Sequence, residues 1–443
     1  MLLGTQRINE EGFLEVGGCN TIELAEEFGT PLYILDEAGL RETCRRYREA
    51  FAAHYPRVHI SFSSKVFTTM AVCRIVEEEG LGVDVSSGGE LFTALDAGVS
   101  PSRIVMHGSN KSLREIELAV SHRVGRIGID YLEEIAMLQK IAAAHQTQVD
   151  VLIRVAPGIA ADTHTHIQTG KADTKFGLAL ADGSAKQAVA EALNAPNLQL
   201  RGINCHIGSQ ILDIDPFAET ARVMVDFASQ VRDDLGYTLE ELDLGGGLGV
   251  RYSSDDRPPS FEEFAEAVAS AVKQTCEAHD LPLPKLLQEP GRSLIGESGL
   301  TLYRIGVIKE ISGVRTYVSV DGGMSDNPRP ALYGARYSAI LANKAALPST
   351  QTVTVAGKHC ESDTLIPELE APQIAVGDIL AVQTTGAYNY SMASNYNRFQ
   401  RPAVVLVRDG RADVIVERES LEDLVRLDRI PERLRSPEPK KAS

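Results

Sequence analysis

The feature that most constrains the fold of this chain is an alternation of short apolar runs with longer helix-patterned segments. Eight runs are bounded by turn or polar residues, as buried strands are, at 58–62, 82–85, 104–107, 127–130, 151–155, 202–206, 242–245 and 286–289. Helix-like spacing fills the intervals, for example over 68–79 before Gly80 and 90–97 before Gly98. This alternation predicts an α/β fold, a (β/α)8 TIM-type barrel. An open doubly wound sheet is the alternative, but eight units favour the barrel.

The pattern changes after about residue 300. Strand-like runs then follow one another without long helices, at 303–308, 315–320, 352–355, 379–383, 403–408 and 412–417. Runs at 12–16 and 31–35 are also extended and are placed to pair with that sheet. We therefore predict a C-terminal antiparallel β-sandwich or β-barrel domain that includes the N-terminal segment. The predicted limits are 37–300 for the barrel, 1–36 and 301–432 for the β domain, and 433–443 for a disordered tail.

Charge and composition exclude several classes of function. The formal net charge of −17 would repel a polyanion, so we expect no nucleic acid partner. No apolar window is long enough for a membrane span, and the N-terminus lacks the features of a signal peptide, so we expect a cytoplasmic protein without membrane contact. The six cysteines are scattered without a CxxC pair and should be free thiols, most of them buried packing residues, with Cys360 as the exception.

A metal centre is not predicted. The His cluster at 162–166 (DTHTH) has ligand-like spacing, but neither HExxH nor CxxC accompanies it. We interpret it as a structural or substrate-side loop. The sequence also contains neither a G-x-S-x-G nucleophile elbow nor a Walker loop.

Reactive residue types recur at the C-terminal ends of the predicted barrel strands. They are Lys65, Asp84, His107, Arg154, His206, the glycines 245–247 and the segment 289–292 (EPGR). Chance would distribute such residues over both ends of the strands. Since active sites of these barrels form at the C-terminal ends, the clustering predicts an active site there.

Each of these residues also has an ordinary structural interpretation. A lone lysine is usually a solvated charge, but the apolar flanks of Lys65 would desolvate it and favour the neutral amine that forms a Schiff base. A triple glycine is often a tight turn, but after a late barrel strand its N–H groups would cradle a phosphate. The Gly208–Ser209 loop after His206 offers a hydroxyl group and supports a role of this histidine in the site. Arg292 could form an ordinary salt bridge, but its guanidinium also suits a carboxylate or a phosphate.

Ten segments between residue 57 and about 402 resemble the pyridoxal-phosphate-dependent decarboxylases of the alanine-racemase-like fold (fold type III). The segments are SSKVF (63–67), GVDVSSGGEL (82–91), HGSNKS (107–112), HTHIQTG with TKFG (164–177), CHIGSQI (205–211), DLGGGLG (243–249), EPGRSL (289–294), VDGGMSDNPRPALYGA (320–335), CES (360–362) and GAYNYSMASNYN (386–397). Ten segments in order over most of the chain make the resemblance specific. Within the family it is greatest to the decarboxylases of diaminopimelate.

The resemblance implies a pyridoxal 5'-phosphate cofactor. Lys65 is the residue expected to hold it covalently, and His206 to stack on its ring. Glu289 is expected to face the pyridine nitrogen and keep it protonated, which supplies the electron sink for decarboxylation. The remaining implied cofactor contacts are Asp84, Ser209, Gly245, Gly246, Gly247, Gly291, Arg292 and Tyr388.

The resemblance also implies the substrate contacts, which are Arg292, Arg329, Tyr333, Glu361 and Tyr388. Two arginines suit the distal carboxylate of meso-2,6-diaminopimelate and a glutamate suits its ammonium. Cys360 corresponds to the acid that returns a proton once CO2 has left. Members of the family act as homodimers in which the equivalents of Cys360 and Glu361 enter the partner's site. The implied reaction is decarboxylation of diaminopimelate to L-lysine and CO2, in lysine biosynthesis.

Three other functions remain open at this point. One is a related decarboxylase acting on ornithine, arginine or carboxynorspermidine; another is a racemase; the third is a non-catalytic protein that binds pyridoxal phosphate. The chain departs from the family at two places. The lysine segment reads FSSKVF where many members have tyrosine-alanine-x-lysine-alanine, and Asp363 follows CES directly where the family usually has glycine first.

Overall fold

The computed structural model describes residues 2–159 and 175–435. The N-terminal segment forms three short strands and a helix before it enters the main body of the protein. These elements are β1 (Arg7–Ile8), β2 (Leu14–Val16), β3 (Cys19–Asn20) and α1 (Thr21–Phe28). They are followed by β4 (Leu32–Asp36) and by α2 (Glu37–His54), which leads into the barrel.

Eight parallel strands close into a barrel, as the alternation predicts. They are β5 (Val58–Ser63), β6 (Gly82–Val85), β7 (Ile104–Met106), β8 (Arg126–Ile129), β9 (Val149–Ala156), β11 (Leu198–Asn204), β12 (Glu241–Asp243) and β13 (Lys285–Gln288). Each pairs with the next, and β13 pairs with β5 to complete the ring. A two-residue strand, β10 (Leu178–Ala179), pairs in parallel with the C-terminal end of β9.

Helices connect the barrel strands in sequence. They are α3 (Met70–Glu78), α4 (Gly88–Asp96), α5 (Leu113–Ser121), α6 (Glu133–Ala144), α7 (Ser184–Leu193), α8 (Asp215–Leu235) and α9 (Phe261–Ala278), with the short α10 (Arg292–Ile295) after β13. Parallel strands covered by helices are buried on both faces, which explains why they read as continuous apolar runs. Helices α3, α4, α5 and α9 begin at side-chain caps; Ser112, for example, forms a capping box with Glu115 at the start of α5.

The C-terminal part is a mostly antiparallel sheet domain. It contains β14 (Gly299–Ile311), β15 (Arg315–Val320), α11 (Arg329–Tyr333), β16 (Ala339–Leu341), β17 (Gln351–Ala356), β18 (Thr364–Ala371), β19 (Ile379–Gln383), β20 (Ala403–Arg408), β21 (Arg411–Val416) and α12 (Leu421–Val425). The N-terminal β4 lies between β14 and β20, so the prediction that the N-terminal segment joins this sheet is confirmed. Two pairings, β4 with β20 and β15 with β17, are parallel.

Buried apolar residues form one core in the barrel and two in the sheet domain. The two sheet-domain cores share strands β14 and β19 and otherwise draw on different strands; one includes Tyr303 and Val353, and the other includes Leu32 and Val405. Among the described residues, none of the helices combines the length and the apolar composition needed to cross a bilayer. Of the tail predicted at 433–443, residues 436–443 lie outside the described part of the chain.

Candidate active site

A cavity of about 390 Å³ lies at the C-terminal ends of the barrel strands. Its wall combines residues from the strand ends with residues of the sheet domain, which closes over that side of the barrel. The lining residues are Lys65, Asp84, Ser86, His107, Gly108, Ser109, Arg154, Lys175, Phe176, Asn204, His206, Ser209, Glu289, Arg292, Arg329, Tyr333, Tyr388 and Met392. The volume is in the range of sites for small ligands and cofactors. A cavity therefore lies at the position predicted for the active site, and residues from the predicted strand ends line it.

Lys65 lies in a short 3₁₀ turn immediately after β5. Burial alone would lower the pKa of its amine, but the charges of Tyr388, Asp84 and Glu289 outweigh burial and raise that pKa. The prediction that the flanks of Lys65 would keep it neutral is therefore wrong for the protein without cofactor. The flanking residues are apolar, but residues distant in sequence place acidic groups beside the amine.

Carboxyl groups from separate strand ends meet around His107, beside Lys65. His107 Nε2 is 2.6 Å from Glu289 Oε1 and 3.8 Å from Asp243 Oδ2. Burial, followed by the charge of Asp84, raises the pKa of Glu289 to about 8, and burial also raises the pKa of Asp243. Burial lowers the pKa of His107. Because these shifts all favour neutral forms, the cluster lacks cationic charge in the protein alone.

The triple glycine after β12 supports His206. The N–H of Gly246 donates to His206 Nδ1 at 3.3 Å, and the N–H of Gly245 donates to Asp243 Oδ1 at 2.8 Å. A Cβ atom on Gly246 would lie 2.2 Å from the carbonyl oxygen of Glu289, so only glycine fits there. Two of the three N–H groups predicted to cradle a phosphate are thus bonded to side chains. Burial holds the pKa of His206 well below its usual value, so its ring is a neutral imidazole.

Arg292 and its neighbours form a polar end of the cavity. The Ser209 hydroxyl accepts hydrogen bonds from Arg292 Nε at 3.2 Å and from Nη2 at 3.1 Å. The guanidinium lies 4.9 Å from the ring centroid of Tyr388. Gly291 precedes it, and a Cβ there would lie 2.7 Å from the Val66 side chain, directly beside the Lys65 turn.

Arg329, at the start of α11, reaches the same cavity from the sheet domain. Its Nη1 donates to the hydroxyls of Tyr252 at 2.8 Å and Tyr337 at 2.9 Å. The Tyr252 hydroxyl also accepts from Arg292 Nη1 at 2.5 Å, so one phenol joins the two arginines. Tyr333 lies at the other end of α11, with its ring centroid 6.0 Å from the Arg329 guanidinium.

Cys360 and Glu361 are not among the residues that line the cavity. Both are exposed, and Cys360 is the exposed cysteine while Cys19, Cys44, Cys73, Cys205 and Cys276 are buried. The backbone N–H of Cys360 donates to Asn397 Oδ1 at 3.1 Å, and Glu361 Oε1 accepts from the Tyr396 hydroxyl at 2.5 Å. These two residues therefore do not contribute to the lining of the Lys65 cavity of their own chain.

The sequence analysis did not single out several residues that the structure places at or beside the site. Tyr252 lies behind the two arginines, and Asn204 presents a buried Oδ1 without a hydrogen-bond partner to the cavity. Asp243 could have been found, since it immediately precedes the leucine before the triple glycine at a strand end. The His cluster at 162–166 lies outside the described residues.

The residues of this cavity fit pyridoxal phosphate. Asp84 Oδ1 is buried without a hydrogen-bond partner and lies near Glu289, where a cationic pyridinium N–H would compensate the acidic charge. Lys65 offers the amine, and Arg292 with Ser209 offers donors for an anionic phosphate. Asp84, His107 and Glu289 also place three ligand atoms within 4.8 Å, which could hold a metal ion. The lysine and the anion site beside them favour the organic cofactor.

A lysine at the end of the first barrel strand, a buried acid cluster and an arginine-lined anion site define a barrel-type pyridoxal-phosphate enzyme. Comparison with known proteins identifies the group within this class. The model of the pyridoxal-dependent decarboxylase pyridoxal-binding domain matches residues 37–296. The chain belongs to the pyridoxal-dependent decarboxylase family.

Near relatives and solved structures agree with that assignment over almost the whole chain. Diaminopimelate decarboxylase of Bacillus subtilis (strain 168) is 46% identical over 428 residues, which are 96% of this chain and 98% of that protein. The crystal structure of the M. jannaschii diaminopimelate decarboxylase with L-lysine has a TM-score of 0.91 at 34% identity, covering 98% of this chain and 100% of that one. The Helicobacter pylori enzyme with L-lysine has a TM-score of 0.84 at 31% identity, covering 92% and 99%.

Proposed function

We propose that this enzyme decarboxylates meso-2,6-diaminopimelate to L-lysine and CO2 with pyridoxal phosphate, as a step of lysine biosynthesis. One observation carries the proposal: a single cavity places Lys65 beside the acid cluster and presents Arg292 and Arg329 on its wall. The amine end of an amino acid is handled at Lys65, and the arginines suit a second, distal carboxylate. Similarity to diaminopimelate decarboxylases over nearly the whole chain supports the same substrate.

We assign the cofactor-binding roles to this chain's residues as follows. Lys65 holds the cofactor covalently, His206 packs its neutral ring against the cofactor, and Glu289 with Asp84 holds a proton at the pyridine nitrogen. When bound, the protonated cofactor ring accepts the electron pair that is left when CO2 departs. The remaining contacts are Ser209, Gly245, Gly246, Gly247, Gly291, Arg292 and Tyr388, in which the glycines permit the close approach of the surrounding backbone.

We assign substrate binding to Arg292, Arg329, Tyr333, Tyr388 and Glu361. Because the product is L-lysine, the substrate centre that keeps its carboxylate has the L configuration, and the D centre loses CO2. The retained carboxylate then lies at the arginines while the D centre lies at Lys65. Bidentate guanidinium contacts orient a carboxylate better than a single charge does.

We propose a homodimer in which Cys360 and Glu361 complete the partner's cavity. Both residues are exposed and lie outside the lining of their own chain's Lys65 cavity, which supports a role at a second copy. The Cys360 thiol would return a proton to the substrate carbon, and Glu361 would accept the distal ammonium. Mixing inactive Lys65→Ala and Cys360→Ala chains tests this arrangement. Heterodimers with one intact site should recover activity; if no activity returns although heterodimers form, the shared site is wrong.

Substrate identity is tested by measuring CO2 release and the product formed from meso-, LL- and DD-diaminopimelate, L-lysine, L-ornithine and L-arginine. We expect turnover of the meso isomer to L-lysine, and loss of activity and of the covalent cofactor absorbance in Lys65→Ala. A preference for L-ornithine or L-lysine would contradict the proposal and favour a related decarboxylase. Racemised amino acid without CO2 would instead indicate a racemase.

We further place the reaction in the cytoplasm. The described part of the chain contains six free cysteines, five of them buried. Free thiols of this kind persist in a reducing compartment. Fractionation of the native host, followed by the decarboxylase assay on each fraction, tests this assignment.

A further inference from the structure

Arg292 and Arg329 are both about 95% buried, at 5% relative exposure each. Among the residues that the structure describes, neither guanidinium is paired with a carboxylate; their hydrogen-bond partners are hydroxyl groups. Arg154, elsewhere on the same cavity, is paired in the usual way, with Nη1 at 3.2 Å from Asp130 Oδ1. The arginine pair is therefore held differently from Arg154.

The group that holds the pair is the Tyr252 phenol. Its oxygen accepts from Arg292 Nη1 at 2.5 Å and from Arg329 Nη1 at 2.8 Å, and both guanidinium groups also lie over its ring, at 5.7 and 5.1 Å from the centroid. Tyr337 supports it, with a T-shaped ring contact at 5.3 Å and a hydroxyl that accepts from Arg329. Tyr252 itself is buried and lies behind the arginines, outside the cavity lining.

Burial opposes ionisation of the Tyr252 phenol, but the charges of Arg292 and Arg329 outweigh it and lower the pKa of Tyr252. In its un-ionised form the phenol satisfies the N–H groups of a buried guanidinium without cancelling its charge. A carboxylate at the same place would satisfy the N–H groups and also neutralise one arginine, which would leave less attraction for an anionic ligand. Within one chain the two adjacent buried cations have no carboxylate partner, so the phosphate of the cofactor at Arg292 and a carboxylate of the substrate are the ligand anions that can compensate them. The phenol therefore keeps the arginine pair ready for a carboxylate.

We propose that Tyr252 is a specificity-determining positioning residue, which holds Arg292 and Arg329 side by side with their charges unneutralised and thereby selects ligands that carry a distal carboxylate. This inference rests on the proposed function, since it explains how the enzyme would distinguish diaminopimelate and L-lysine from amines without that group. Tyr252 acts through the arginines and does not contact the reacting atoms.

L-lysine and cadaverine test the inference, because they differ only in the carboxylate that would lie at the arginines. Inhibition constants for both are measured on the cofactor-loaded wild-type enzyme and on Tyr252→Phe, together with kcat and KM for meso-diaminopimelate. Tyr55→Phe is the matched control, since it also removes a buried hydroxyl, bonded at 2.9 Å to the carbonyl of Pro284. In Tyr252→Phe, we expect the KM for meso-diaminopimelate and the inhibition constant of L-lysine to rise about tenfold or more, with the cadaverine constant unchanged.

A second pair of variants isolates charge from shape. Tyr252→Gln and Tyr252→Glu are nearly isosteric, and both can accept from the two arginines, but only glutamate neutralises them. We expect L-lysine to bind at least about tenfold more weakly to Tyr252→Glu than to Tyr252→Gln, while cadaverine does not distinguish the two.

Equal L-lysine constants in the glutamine and glutamate variants would overturn the inference, as would equal losses for L-lysine and cadaverine in Tyr252→Phe. Wild-type enzyme that fails to decarboxylate meso-diaminopimelate would instead overturn the proposed function. The two failures are distinguishable because the wild-type assay comes first. If Tyr252→Phe does not fold, the comparison of Tyr252→Gln with Tyr252→Glu tests the inference by itself.

Discussion

Replacing Glu289 with glutamine should stabilise the cofactor-free protein at alkaline pH. Burial, followed by the charge of Asp84, raises the pKa of Glu289 from its usual 4.5 to about 8. A carboxyl group whose pKa is higher in the folded than in the unfolded protein leaves stability intact below pH 4.5. It destabilises the fold progressively as the pH rises towards 8, because the folded protein resists ionisation. Since each pKa unit corresponds to about 1.4 kcal/mol, the cost approaches about 4–5 kcal/mol near pH 8.

Glutamine cannot ionise, so Glu289→Gln removes this cost while retaining a side chain able to bond His107. We expect the variant and the wild type to melt within a degree or two of one another at pH 5. At pH 8 the cofactor-free variant should melt several degrees higher, in calorimetric scans of the two proteins. The same substitution should weaken pyridoxal phosphate binding, because the pyridinium loses its anionic partner. Glu361→Gln, which changes an exposed carboxylate, serves as the control and should show neither effect.

A stability difference between wild type and Glu289→Gln that does not change with pH would refute this reasoning. The difference in melting temperature between the cofactor-free wild type and Glu289→Gln would then be the same at pH 5 and at pH 8. That result would mean that ionisation of Glu289 does not destabilise the folded protein. The acid cluster would then be compensated within the protein. Tighter cofactor binding by the variant would likewise show that Glu289 does not pair with the pyridine nitrogen.

Three further outcomes follow from the packing around the site. Lys111→Met should lower the melting temperature by the equivalent of about 3–5 kcal/mol, because Glu134, which lies 2.7 Å from the Lys111 amine, would be left as an unpaired buried carboxylate. Gly246→Ala should abolish cofactor absorbance per chain, since its Cβ would lie 2.2 Å from a backbone carbonyl oxygen, whereas Gly89→Ala, with 3.8 Å to its nearest neighbour, should retain it. Iodoacetamide should alkylate the exposed Cys360 before the five buried cysteines, with matching loss of decarboxylation and with protection by meso-diaminopimelate; labelling by mass spectrometry checks the order.

Sequence patterns predicted the barrel well because its strands are buried on both faces and are flanked by turns. All eight apolar runs overlap barrel strands, and six of the eight begin within one residue of the strand start. The strands of the sheet domain were harder to predict from the sequence. Strand β18 was missed because it contains Pro367 and two charged residues, Glu368 and Glu370, which a pattern of alternating apolar residues does not recognise. Strand β16 was also missed; it has three residues, of which only Leu341 is buried.

Properties that depend on contacts between distant segments were not predictable. The flanks of Lys65 indicate desolvation, but the sign of its pKa shift is set by Asp84 and Glu289, which lie on other strands. The glycines after β12 were expected to bind phosphate through N–H groups, and two of these donate to Asp243 and His206 instead. A strand-end pattern thus locates a residue in the site without determining which partner it has there.

The distribution of charge around the cavity separates the remaining functions. Acidic groups adjoin Lys65, and Arg292 with Arg329 lies where the other end of the ligand would be. Ornithine and arginine carry a cation at the distal end, so either would place a positive charge against two unneutralised guanidinium groups. Diaminopimelate carries a carboxylate there and compensates them, while Glu361 of a second copy would take its ammonium. A racemase needs a base on each face of the reacting carbon; the described cavity of one chain presents the amines of Lys65 and Lys175, and Cys360 lies outside its lining. The charge pattern therefore favours an amino acid with two carboxylates, one lost at Lys65 and one held by the arginines.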